Sequence, residues 1–91
     1  MNNKHFNIKV SGKVQAVDFR YNAQQKAEEL GLCGYVKNEY DGSVYLEVEG
    51  DEKKLDKFVD WCRHGSAYSK VLELEISEDD FKSFSDFRIE Y

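Results

Sequence analysis

The chain predicts an α+β fold: a ferredoxin-like split βαβ sandwich of order βαββαβ, with an antiparallel sheet and two helices on one face. Three observations carry this. Apolar residues alternate with polar ones in several short runs, two intervening runs carry helical periodicity, and Asp-Gly turn chemistry joins the second strand to the third. At 91 residues and 41% hydrophobic content, the sequence supports one domain, 1–91, with one modest core.

Phe6, Ile8 and Val10 alternate with His5, Asn7, Lys9 and Ser11, which predicts a half-buried first strand. From Phe19 to Leu30 the period changes. Phe19, Ala23, Ala27 and Leu30 share a helical face, and Gly31 is a suitable stop. CGYVKNE predicts the second strand and YDGS a turn, and Val44, Leu46 and Val48 alternate with Tyr45, Glu47 and Glu49 as the third strand. Gly50 and Asp51 open a second helix, in which Leu55, Phe58, Val59 and Cys62 fit the i, i+3, i+4, i+7 template before Gly65. Leu72, Leu74 and Ile76 predict a fourth strand, SEDDFKSFSD a polar connection, and Phe87, Ile89 and Tyr91 a short last strand.

The formal charge of −5 disfavours generic binding to nucleic acid or anionic membrane, so an anionic substrate requires a local positive site. No run is long enough to span a bilayer, and the polar, alternating N-terminal residues do not read as a signal peptide. Cys33 and Cys62 stand far apart in no metal-type spacing and read as reduced thiols of a cytoplasmic protein.

In a βαβ crossover the two strands run parallel. GKVQAVDFR and KNEYDG therefore meet at one edge of the sheet, which brings Arg20 towards Asn38. A helix N-terminus offers free N–H groups and the positive end of its dipole, and Arg20 adds a planar fork suited to phosphate oxygens. On residue types alone the plain reading is a tight loop with a surface arginine. Asn38 reads either as a turn residue or as an amide holding a water or substrate oxygen, and Gln15 carries the same two readings, with a solvated loop side chain the plainer one. His5, placed before the first strand, and His64, at the end of the second helix, pair with no nucleophile. Trp61 and the phenylalanines read as packing groups, and SEDD as a solvated loop.

Taken together, VSGKVQAVDFR, LGLCGYVKN, DGSV and the closing DFRIEY resemble the acylphosphatase family over nearly the whole chain. The family motif G-x-V-Q-G-V-x-F-R is matched except at one glycine, and L-G-L-x-G-[WY]-V-x-N-x-x-D-G-S-V is matched in full. The resemblance implies hydrolysis of acyl phosphates to a carboxylate and inorganic phosphate, with no metal, cofactor or covalent enzyme intermediate. It implies that Arg20 binds the phosphoryl group and that Asn38 orients the attacking water. It also implies that Val14, Gln15, Ala16, Val17, Asp18 and Phe19, with Arg20, form the phosphate-binding cradle. A monomer without nucleic-acid or membrane partners is expected.

Three departures from the family pattern bear on that expectation. Ala16 replaces the family glycine, which raises the question of a strained positive φ. Asp18 can cap the first helix, where its charge lies close to a bound phosphate. GSA follows the second helix where the family often has Gly-Pro, a loop change expected to matter little. A catalytically weakened phosphate-binding or regulatory module is the alternative. An RNA-binding domain ranks last, because the third strand sets Tyr45 beside Glu47 and Glu49 instead of basic residues.

Overall fold

The computed structural model describes residues 2–15 and 17–91. Its elements run β1 (Asn3–Lys13), α1 (Phe19–Glu29), β2 (Cys33–Asn38), β3 (Val44–Asp51), α2 (Glu52–His64), β4 (Lys70–Asp79) and β5 (Phe87–Glu90). The sheet order is β4-β1-β3-β2-β5. The pairings β1–β3, β1–β4 and β2–β3 are antiparallel, but β5 runs parallel to β2, so the sheet is mixed and only mostly antiparallel. The reason is topological. β4 lies at one edge of the sheet, and residues 80–86 cross the face away from the helices before β5 enters at the opposite edge.

Register assigns the two faces. Ile8 lies opposite Leu46 and Val10 opposite Val44. These four join Phe19, Ala23 and Ala27 of α1 and Leu55, Phe58 and Cys62 of α2 in one buried core. α1 packs on β2 and β5, and α2 on β3 and β4. Asp51 begins α2 with a β-region backbone and a side chain that accepts from the Lys54 N–H at 3.3 Å, as an N-cap should. No described helix is long and apolar enough to cross a membrane.

The other face departs from expectation. His5 does not precede β1 but lies inside it, fully buried, and register places it opposite Glu49. Its Nδ1 is 2.8 Å from Glu49 Oε1 and its Nε2 2.8 Å from Glu47 Oε1. SEDD is not all loop, since β4 continues through Ser77, Glu78 and Asp79. Residues 80–86 then lie over the sheet. The Lys82 and Phe84 N–H groups donate to Glu49, and Lys82 Nζ lies 2.9 Å from Glu47 Oε1. Glu47 and Glu49, which alternation placed on an open face, are buried beneath this strap.

Candidate active site

β1 and β2 are each antiparallel to β3, so they are parallel to one another and end at the same edge. β5, parallel to β2, ends there too, with Lys37 in register with Glu90. The edge holds a cavity of about 230 Å³ lined by Val14, Asp18, Phe19, Arg20 and Tyr21 on one side and Asn38, Ile89 and Tyr91 on the other. Arg20 and Asn38 are thus brought together as the crossover requires.

The approach to the cavity is shaped at Gly12. Its φ of 129° lies at the β-bulge where β1 shifts register against β4, and an added Cβ would collide with the Lys70 carbonyl. β1 stays paired with β4 through Lys13, and α1 begins at Phe19. The first intrahelical bond runs from the Asn22 N–H to the Asp18 carbonyl, at 3.0 Å. The N–H groups of Phe19, Arg20 and Tyr21 therefore precede the helical ladder and have no intrahelical acceptor. No acidic residue occupies the first turn. These donors and the positive end of the α1 dipole suit an anion.

The guanidinium of Arg20 is only lightly engaged. Its Nη1 makes a long 3.5 Å contact with the Glu90 carbonyl, and its carbon lies 5.0 Å from the centre of the Tyr91 ring. Arginine carries five N–H donors in a rigid fork, so most of them remain for a ligand. On the opposite wall, Asn38 Oδ1 is buried with no hydrogen-bond partner among the described residues. A buried acceptor left unmade costs about 1–3 kcal/mol. A folded chain keeps such a group where a ligand or water completes it.

Asp18 does not cap α1 with its side chain. Its backbone is left-handed, with φ 59° and ψ 22°, and no side-chain cap bond forms. An N-cap side chain reaches the first-turn donors from a β-region backbone, which Asp18 does not have. Asp18 is nonetheless one of the residues that line the cavity. The question of positive φ at Ala16 lies outside the described residues, whereas Asp18 takes one.

Two residues of the loop before α1 are tied to neighbouring segments. Gln15 is not a solvated loop side chain, since its Nε2 donates to the Glu39 carbonyl at 2.7 Å and the Ser43 carbonyl at 2.8 Å. The Val17 carbonyl accepts from Ser66 Oγ at 3.1 Å, so the loop after α2 touches the cradle after all. His64 faces its own helix end, Nδ1 lying 2.9 Å from the Asp60 carbonyl. Cys33 and Cys62 are unpaired, and burial pushes both thiols above their ordinary range.

Sequence reading missed Tyr21, Ile89 and Tyr91 as cavity residues and Ser66 as a support. The signal for Ile89 and Tyr91 lay in the last strand. Adding it parallel to β2 carries its end to the edge that holds Asn38.

Comparison with known proteins bears on this arrangement. The acylphosphatase family model matches residues 6–89. An acylphosphatase of Syntrophobacter fumaroxidans is 42% identical over 90% of this chain and 84% of its own length. One from Archaeoglobus fulgidus is 40% identical, covering 92% of this chain and 94% of its own length. The crystal structure of acylphosphatase from Bacillus subtilis superposes with a TM-score of 0.94 at 38% identity, covering 97% of this chain and 99% of that one. The family match spans both Arg20 and Asn38, the relatives cover most of the sequence, and the chain belongs to the acylphosphatase family.

Proposed function

We propose that this chain hydrolyses the carboxyl–phosphate bond of acyl phosphates, with Arg20 binding the phosphoryl group and Asn38 orienting water. The observation that carries the reading is Asn38, which lines one wall of the cavity and whose buried amide oxygen has no partner among the described residues, while the other wall bears Arg20 and the first turn of α1. The phosphoryl oxygens sit among the first-turn N–H groups and the guanidinium. Water held by Asn38 attacks phosphorus opposite the acyl oxygen. As the new P–O bond forms, the P–O bond to the acyl group breaks, and its electron pair leaves on the carboxylate. The water's proton passes to a phosphate oxygen. A carboxylate is a good leaving group, so positioning and charge stabilisation supply the catalysis and no strong side-chain base is needed.

Catalysis requires no metal, so a chelator leaves the rate unchanged. We read the protein as a cytoplasmic monomer without a nucleic-acid partner; the two unpaired cysteines fit a reducing compartment, and the charge of −5 fits the lack of a nucleic-acid partner.

The test is phosphate release from benzoyl phosphate. Arg20→Ala should cut kcat/KM by about 10²–10³-fold or more, with an unchanged melting temperature, because it removes a charged donor to the transition state. Asn38→Ala should lower kcat by a larger factor than it raises the inhibition constant for inorganic phosphate. Near-normal hydrolysis by folded Arg20→Ala would refute the site. Phosphate binding without turnover in the wild type would identify a phosphate-binding module instead.

A further inference from the structure

We propose that Gln15 is a positioning residue for Asn38: its amide couples the phosphate cradle to the hairpin that carries the water-orienting side chain. The inference rests on the roles proposed above for the cradle and for Asn38. Gln15 Nε2 donates to two carbonyls, Glu39 at 2.7 Å and Ser43 at 2.8 Å. An amide NH₂ has two hydrogens, so both are used, and two carbonyl acceptors fix the orientation of the amide. Those carbonyls flank the mouth of the loop 39–43, which begins one residue after Asn38.

The bonds couple the hairpin to the cradle without being needed to form it. The Ser43 carbonyl also accepts from the Glu39 N–H at 2.9 Å, and the Glu39 carbonyl from the Gly42 N–H at 3.2 Å. Lys9 Nζ holds Asp41 at 2.9 Å, and Asp41 accepts from the Ser43 N–H at 2.9 Å. Removing the Gln15 amide leaves each of these contacts, so the turn persists while its tie to the cradle is lost. The far flank of the cradle is held separately through Val17 and Ser66, at 3.1 Å. Phosphate binding and water orientation thus depend on different supports, and Gln15 belongs to the second.

A catalytic group displaced by about 1 Å can cost as much as 10²-fold in rate. Gln15→Ala should lower kcat for benzoyl phosphate by roughly 10-fold while shifting the inhibition constant of inorganic phosphate by less than about two-fold. Gln15→Met retains the volume without the donors and should behave alike, which separates lost donors from a void or a poorly folded Gln15→Ala protein. In an Asn38→Ala background, either Gln15 substitution should cost less than about two-fold further, because the residue it positions is gone. Amide exchange at Glu39 and Gly42 should speed up in Gln15→Met with the melting temperature little changed. If Gln15→Met turns over normally, or if it loses the same factor with and without Asn38, the coupling is refuted while the roles of Arg20 and Asn38 stand. If Asn38→Ala itself turns over normally, the role of Asn38 fails, and the positioning role with it.

Discussion

Asp18 has a left-handed backbone in the loop just before α1, without a side-chain cap bond to compensate. Left-handed geometry costs most L-residues roughly 1–2 kcal/mol, and aspartate and asparagine are the usual non-glycine exceptions. Asp18→Asn therefore keeps the backbone and should alter stability by less than about 0.5 kcal/mol, since no cap bond is lost. It also removes a negative charge from a residue that lines the cavity. Phosphate should inhibit the variant at a concentration roughly two- to five-fold lower than wild type in low salt, with the gap closing as salt screens the repulsion. Equal inhibition constants at both ionic strengths would place the carboxylate outside the field of the bound ion. At this scale, the meeting of Arg20 and Asn38 at one cavity was legible because the crossover brings their strand ends together. The backbone of Asp18 and the inward turn of Gln15 were not, because each is decided by neighbours distant in sequence: the hairpin carbonyls for Gln15, and the loop path for Asp18.

Among the elements, the strap of residues 80–86 reversed its expected role. Alternation in β3 predicts an open polar face, and that reading fails because a polar connection folds back over the face and satisfies it. Burial alone would raise the Glu47 carboxyl, but hydrogen bonds from Lys82, Tyr35, His5 and Tyr45 outweigh it and hold the group at about 2. Glu49 is likewise lowered: burial opposes this, but His5 and the N–H groups of Lys82 and Phe84 prevail. Both folded values lie below the ordinary 4.5. Their contribution to stability is therefore complete above that value and is lost as pH falls through the folded ones, down to about 2 for Glu47. Urea unfolding of the wild type should show stability declining between those limits. Glu47→Gln should be less stable at pH 7 and should show a shallower decline, because one of the two carboxylates no longer titrates. At high pH the sign reverses. Burial, with the neighbouring Glu47 carboxylate, pushes the Tyr45 phenol up to about 12, so its contribution persists below the ordinary 10 and fades as pH rises through 12. An acid slope identical in wild type and Glu47→Gln would mean that the strap is held by its backbone bonds alone.

Across the molecule, the sheet separates stability from chemistry by its two edges. β1, β2 and β5 deliver their ends to the edge that holds Arg20 and Asn38, the proposed catalytic edge, while β3 ends at the opposite edge, where Asn3 pairs with Asp51 and α2 begins. The βαββαβ order was legible because each element carries its own periodicity. The strap and the parallel fit of β5 were not, because nothing in a local pattern says which sheet edge a final strand joins. Leu55, in the first turns of α2, is fully buried near the far edge and does not line the cavity. Leu55→Ala should cost about 2–5 kcal/mol, a transfer loss plus the cavity left behind. Against a total of roughly 5–15 kcal/mol for a domain of this kind, that is a large share. The melting temperature should fall by roughly 4–8 °C for each kcal/mol. Activity per folded molecule should nonetheless stay near wild type, because the cradle, Arg20 and Asn38 are held by the other edge. Urea titration combined with benzoyl phosphate hydrolysis, measured well below the transition of the variant, separates the two quantities. A fall in kcat that accompanies the lost stability, in protein shown to be folded, would mean that strain at the start of α2 reaches the cradle, and Ser66, at the other end of that helix with its hydroxyl on the Val17 carbonyl, is the contact through which it would travel.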